Sequence, residues 1–316
     1  MREANGASAR GIVDVEVKRS LTLGEFAHDI IAEQYRRFSK QEKKVLADKD
    51  PEHLHQMRVA IRRLRTALRI FAAAIDLPKA AGDKRLRHIA RELGQLRDLD
   101  VQIATLKDDY RPRLSKSEKH LLEEGLDALH QKRRKAFSSV AKLLDHSSYH
   151  HLKTAYETWL ECPSYQLQAQ FPLSSILPDL LNPIVSNLLL HPGWFVSVDP
   201  LSPDNAPTLH DLRKVFKQAR YQAEFFASCY GDSFKAWIEE MKTLQDSLGK
   251  FQDGQVLLDL MADTLPHKAK LPELHAIIQQ EQDAALSDWE TVRQKYLSSD
   301  YRYKLHRFIL EPDIEF

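Results

Sequence analysis

The chain has 316 residues, 43% of them hydrophobic, with 10 glycines and a formal net charge of +1. That length builds one large domain or two ordinary ones, and the near-zero net charge argues against an indiscriminate nucleic-acid binder. The charge is unevenly placed, however: residues 1–160 carry 32 Lys and Arg against 23 Asp and Glu, while residues 161–316 carry 14 against 22.

Residues 1–19 read as a polar, flexible lead, with a short alternating strand pattern at 12–18. A helix is predicted from Thr22, which with Glu25 three residues on has the form of a capping box, to about Ala47. Pro51 closes the connection, and further helices follow over about 52–75, 82–108 and 115–144, with another piece at 148–160. Cys162-Pro163 and Phe171-Pro172 mark residues 161–173 as a linker. Four more helices are expected at about 174–190, 205–230, 233–263 and 271–297, before a C-terminal tail over 301–316. Scarce glycine beside plentiful Leu, Ala, Arg, Lys, Glu and Gln supports this all-α reading. The apolar run ILPDLLNPIVSNLLL holds Pro178, Pro183 and Asp179, and reads as too short and interrupted to span a bilayer. Cys162 and Cys229 stand in no metal or disulfide-framework spacing, and no apolar leader opens the chain, so a reducing, cytoplasmic setting is expected.

The second helix carries His55, Arg58, Arg62, Arg65 and Arg69. At about 100° per residue they fall within an arc of about 80°, beside an apolar arc of Met57, Ile61, Leu64, Leu68 and Phe71. Arg63 points away from the stripe and reads as a solvated surface residue. The window 55–69 contains five arginines and no acid, so ion pairs within the helix cannot balance them. Arginine suits phosphate, because its planar fork donates two bonds and stays charged. The third helix adds Lys84, Arg87 and Arg91.

The stripe recurs 155 residues later as His210, Arg213, Lys217 and Arg220. The same offset takes Leu54 to Leu209, Phe71 to Phe226, Arg87 to Lys242, Leu93-Gly94 to Leu248-Gly249 and Asp98 to Asp253. Each half is therefore expected to form a four-helix bundle, at 20–160 and 174–300, the two related by pseudo-two-fold symmetry, with the two stripes making a single polyanion site. Glu224 stands where the first half has Arg69, and Asp246 where it has Arg91, which weakens the second half. Glu224 is placed to pair with Arg220.

The run H-x-x-R-V-x-x-R-R-L-R-x-x-L-x-x-F from His55 to Phe71, followed by L-G-x-x-R-D-x-D-V from Leu93 to Val101, resembles the CHAD family, the conserved histidine α-helical domain. The second-half signature H-x-L-R-K-x-x-K-x-x-R-Y, from His210 to Tyr221, fits as well. Gln252 in place of an Arg and Ala219 in place of a Leu depart from it. The resemblance covers roughly residues 20–300. It implies an all-helical protein of two four-helix bundles that binds inorganic polyphosphate in a basic groove or pore between them, associates with polyphosphate granules and has no established catalysis. It thereby implies phosphate-binding roles for His55, Arg58, Arg62, Arg65, Arg69, Arg87, Arg91, His210, Arg213, Lys217 and Arg220. Lys214 and Tyr221 in the second signature, and Lys84 and Lys242 on the third helix and its counterpart, complete the candidate set.

His55 and His210 have a plain packing or capping reading besides a ligand one. Arg97, on the apolar side of its helix, is expected to form an internal salt bridge, and Asp98 and Asp253 read as structural. The stretch Asp14 to Lys18 is close to the E-x-E-x-K mark of a triphosphate-tunnel domain, but the long alternating strands such a tunnel needs do not follow. His53/His55 and His150/His151 lack the companions of a metal site, and no phosphate loop, nucleophile triad or paired-carboxylate motif is present, so neither a cofactor nor an enzyme is expected. Two rival readings remain open. One is a nucleic-acid surface, against which stands the lack of aromatic interleaving. The other is a metal-dependent polyphosphate-processing enzyme, for which Glu224 and Asp246 are too few carboxylates.

Overall fold

The computed structural model describes residues 21–197, 205–265 and 270–313. Among them the regular elements are helical, and the extended pairings are two isolated bridges, Thr22 with Pro172 and Ile75 with Tyr165. The all-α expectation holds. The lead, and with it the strand pattern at 12–18, lies outside the described residues.

Helix α1 (Leu23–Ala47) starts where the sequence placed its cap. Glu25 N–H donates to Thr22 Oγ1 at 3.2 Å, and Thr22 N–H donates to the Glu25 carboxylate at 3.0 Å, so two backbone donors at the helix start are satisfied. Asp48, at φ 49, turns the chain into α2 (Pro51–Ile70), which Asp50 caps and Pro51 opens. The second helix stops at Ile70 rather than near 75, because Phe71–Ile75 turns inward and Ile75 pairs with Tyr165.

Helix α3 (Asp83–Ala104) continues into a wider π-type stretch, Thr105–Tyr110, before α4 (Lys116–Asp145) and α5 (Ser147–Glu161). The linker is not a free tether: Asp76 N–H donates to the Ser164 carbonyl, and Gln166 N–H donates to the Ala74 carbonyl. Cys162 there is exposed, and Cys229 is buried; both are free.

The second half comprises α6 (Leu173–Leu189), α7 (Ala206–Phe225), α8 (Asp232–Thr264), α9 (Pro272–Ala285), α10 (Trp289–Leu297) and α11 (Ser299–Leu310). Two expectations are corrected. The single helix over 271–297 is two, split at Leu286–Asp288, where the buried Trp289 donates to the Val196 carbonyl. The tail over 301–316 contains most of α11, which is amphipathic, buries Leu305 and Ile309 and packs on α6. By length and composition the stretch Leu173–Phe195 is apolar enough to cross a membrane; in the fold α6 packs on α7 and α11, burying Leu177, Leu181, Val185 and Leu188.

The packing order α1 on α2, α2 on α3, α3 on α4 is repeated as α6 on α7, α7 on α8, α8 on α9. The apolar core does not divide between the halves. A large cluster joins α1, α2, α5 and the start of α3 to α6, α7, the first half of α8, α10 and α11. A smaller one joins Ile103, Leu106, Leu122, Leu126 and Leu129 to Leu257, Met261, Leu274 and Ile278. Between them, over roughly residues 97–102 of α3 and 249–256 of α8, both cores are interrupted. That gap is where charged side chains gather.

Candidate functional site

The stripe helices touch each other: α2 packs on α7. Their contact is polar, and Tyr221 organises it. Arg62 of α2 donates from Nη1 to the Tyr221 hydroxyl at 2.9 Å. The Arg220 guanidinium lies 4.6 Å from the centre of the same ring. An aromatic face attracts a cation, so one buried tyrosine holds two guanidiniums from opposite halves.

One turn down each helix, the repeat in sequence becomes a repeat in contacts. Arg58 reaches α3, where its Nη2 sits 3.3 Å from Asp98. Arg213 reaches α8, where its Nη2 sits 3.5 Å from Asp253. Each guanidinium crosses a helix at a glycine: a Cβ added at Gly94 would lie 3.6 Å from Arg58 Nε, and one at Gly249 would lie 3.1 Å from Arg213 Nη2. A side chain at Gly249 would crowd Arg213, whereas one at Gly94 would meet Arg58 at ordinary contact distance. Arg58 and Arg213 are only 26% and 21% exposed, whereas Asp98 and Asp253 are 60% and 70% exposed. The carboxylates therefore stand toward solvent, and the guanidiniums line the recess.

Lys217 lies one turn from both Arg213 and Tyr221 on α7, half-buried. Among the described residues it has no ion pair or hydrogen bond. Burial, and the positive charge of Arg62, Arg213 and Arg58 around it, push its amine down to about 7. Burial and Arg62 likewise lower Arg58, with Asp98 acting the other way. His55 is held below its ordinary value by burial and by Arg97, and His210 by burial and Lys214. His55 lines a cavity of about 470 Å³ between α1 and α2, with Gln41, Gln56 and Arg63. Arg97 corrects the sequence reading. It makes no salt bridge among the described residues, and its charge lowers His55 and Arg58. The motif spelled Arg97-Asp98 together; only the fold shows that Asp98 serves Arg58 instead.

Farther along α2 the stripe meets acids. Asp83, at the start of α3, accepts from Arg65 Nε at 2.7 Å and from Arg87 at 3.1 Å. Its partial burial opposes ionisation, but the bonds from both arginines hold the carboxyl below the usual carboxylate range. Arg69 donates from Nε to the Arg65 carbonyl and lines a cavity of about 460 Å³ against α6 and α7, near Gln218 and Gln222. Arg63 does not point to solvent as expected. It pairs across the halves with Glu224, which also takes Arg220 at 2.6 Å, as the spacing suggested. The acid at the place of Arg69 is thus the centre of an inter-half ion triad.

The remaining candidates sit apart from this recess. Lys84 lines a different cavity, of about 380 Å³, with Arg85, His88 and Tyr149 against α4 and α5. Arg91 shares the helical row of Gly94 and Asp98, but its guanidinium is engaged by Glu92 at 3.2 Å and by His88. Lys214 is exposed and paired with Asp211, and Lys242 with Glu239. On α4, Arg133 is taken up by Asp48 and Asp100. Among the described residues no group of three His, Cys, Asp or Glu side chains could hold a metal ion.

The arrangement thus gathers Arg58 and Arg62 of α2 with Arg213 and Lys217 of α7, beside two solvent-facing carboxylates. Chemically it can bind a polyanion and screen its own repulsion by doing so.

The comparisons with known proteins agree on the fold. The crystal structure of the CHAD domain from the plant Ricinus communis superposes with a TM-score of 0.62 at 21% identity, over 98% of this chain and 100% of that one. PptA from Streptomyces chartreusis superposes with a TM-score of 0.61 at 17% identity, over 86% of this chain and 99% of that one. No curated protein is similar enough in sequence to be matched to the chain. The model of the CHAD domain matches residues 29–262, which include both stripes and both Leu-Gly motifs. The chain belongs to the CHAD domain family.

Proposed function

We propose that this chain binds inorganic polyphosphate in the recess between its halves, without catalysing its synthesis or cleavage, and so associates with polyphosphate deposits in the cytoplasm. The observation that carries this reading is the convergence of Arg58, Arg62, Arg213 and Lys217 from two helices, with Lys217 in no ion pair among the described residues. A linear chain of phosphates supplies many non-bridging oxygens to guanidiniums on rigid helices, and each bond is charge-assisted. Outside that cluster Lys214 is paired with Asp211 and Lys242 with Glu239. Family membership supports the same reading.

The test separates the recess from the surface. Arg58→Glu with Arg213→Glu is expected to weaken polyphosphate binding by about a hundredfold or more in a calorimetric titration, since two attractions become two repulsions. Arg91→Glu with Lys242→Glu is expected to change it by no more than about threefold, because both groups are exposed and paired. Equal losses in the two double variants would place binding on the surface at large. Release of orthophosphate that depends on a divalent cation and on Arg58 would overturn the non-catalytic part.

A further inference from the structure

We propose that the cavity of about 380 Å³ between α3, α4 and α5 is a binding site for a small aromatic carboxylate, a body of one or two rings carrying a single negative charge. Part of its lining is apolar: Ile89, Tyr149 and Leu152 are all buried. The Tyr149 hydroxyl is tied to Glu42 at 2.9 Å, so this residue has its ring to offer and not its hydroxyl. The rest is basic. Lys84, Arg85 and His88 line the same cavity, and among the described residues no Asp or Glu does. The acids nearby are engaged elsewhere, Asp83 by Arg65 and Arg87, Glu92 by Arg91, and Glu42 by Lys153. Lys84 and Arg85 form no ion pair among the described residues, and Arg85 Nη1 donates to the Ala80 carbonyl at 3.5 Å.

This cavity is separate from the arginine cluster of α2 and α7. At about 100° per residue, Lys84, Arg85, His88 and Ile89 share a face of α3 roughly 120° round from the row of Arg91, Gly94 and Asp98. That row, not this face, meets Arg58. The lining then selects the ligand. A phosphate chain gains nothing from a buried isoleucine and leucine. A neutral apolar molecule would cover Lys84 and Arg85 without pairing them, and an unpaired charge is costly to bury. An aromatic carboxylate answers both parts of the wall. Its rings displace water from Ile89 and Leu152 and meet the ring of Tyr149. Its carboxylate accepts charge-assisted bonds from the Arg85 fork and the Lys84 ammonium. The volume lies at the lower end of the range of about 300–1,000 Å³ usual for small-molecule sites, which suits one or two rings.

The experiment titrates the full chain calorimetrically with 1-naphthoate. Two comparators run beside it: 1-naphthalenemethanol has the rings without the charge, and acetate has the charge without the rings. Naphthoate is expected to saturate one site per chain below about 1 mM, and each comparator to bind at least about tenfold more weakly. Lys84→Gln with Arg85→Gln is expected to weaken naphthoate at least about tenfold, and Lys84→Gln alone, at an exposed position, at least about threefold. Lys135→Gln with Lys142→Gln removes the same charge from exposed positions of α4 outside the cavity, and is expected to change the affinity by no more than about twofold. Saturating long-chain polyphosphate is expected to leave naphthoate binding unchanged, whether or not polyphosphate binds the arginine cluster. Equal losses in the two double variants, naphthalenemethanol binding as tightly as naphthoate, or competition by polyphosphate would overturn the site. So would the absence of saturation by about 1 mM.

Discussion

At the scale of single residues, the recess is governed by how closely cations can be packed. Lys217 gives this a pH signature. Its amine sits at about 7 in the free protein, and a bound phosphate raises it toward the ordinary lysine value of about 10.4. Binding therefore takes up a proton above pH 7, and affinity is expected to fall as pH rises from about 7 to 9, by up to about tenfold per unit. The arginines around it stay charged over this range. His55 and His210, held below their ordinary value, protonate on the acid side and act in the same direction. Titrations at several pH values check the slope, and Lys217→Met is expected to bind more weakly with a flat profile between pH 7 and 9. The two glycines give a second test. Alanine at Gly94 meets Arg58 at ordinary contact distance, whereas alanine at Gly249 meets Arg213 at 3.1 Å and must displace it. Gly94→Ala is expected to add about 1 kcal/mol through helix propensity and to keep its affinity. Gly249→Ala is expected to gain little in thermal melting and to bind several-fold more weakly.

At the scale of elements, α2 and α7 are held in register by polar contacts. The Arg63–Glu224–Arg220 triad and the Arg62–Tyr221 bond all cross from one half to the other. Glu224→Gln is expected to cost about 2 kcal/mol, because two charge-assisted contacts of a largely buried carboxylate are lost. The same change frees two guanidiniums beside the recess, so polyphosphate affinity is expected to rise while denaturant stability drops. Opposite movement of the two quantities distinguishes this from general loosening. Much at this scale was legible in the sequence. Spacings of three and four put a stripe on one helical face whatever the fold, and Thr22 with Glu25 fixed a helix start. Arg63 was misread because its position on one helix says nothing about a second helix crossing there. Lys84 was grouped with Arg87 by helical angle, yet α4 and α5 pack close enough to give it a cavity of its own.

At the scale of the whole molecule, the packing order of α1 to α4 is repeated by α6 to α9. What the sequence could not display is that neither half has a core to itself. Apolar residues of both halves merge into two shared clusters, and the charged recess occupies the interval between them. Hydrophobic periodicity shows which face of a helix is buried but not whose residues it is buried against. Helix α11 was missed for the same reason, since its apolar face matters only through α6. A recess fixed between two cores is preformed, so a long linear polyanion is expected to gain from filling its length and from rebinding along the chain.

The most direct test is a calorimetric comparison of long-chain polyphosphate, tripolyphosphate and duplex DNA at equal phosphate content in about 150 mM salt. Long-chain polyphosphate is expected to bind at least about tenfold more tightly than tripolyphosphate, and DNA to bind weakly or not at all. Tripolyphosphate binding as tightly as the long chain, or DNA binding as tightly as either, would contradict a recess built for a linear polyphosphate.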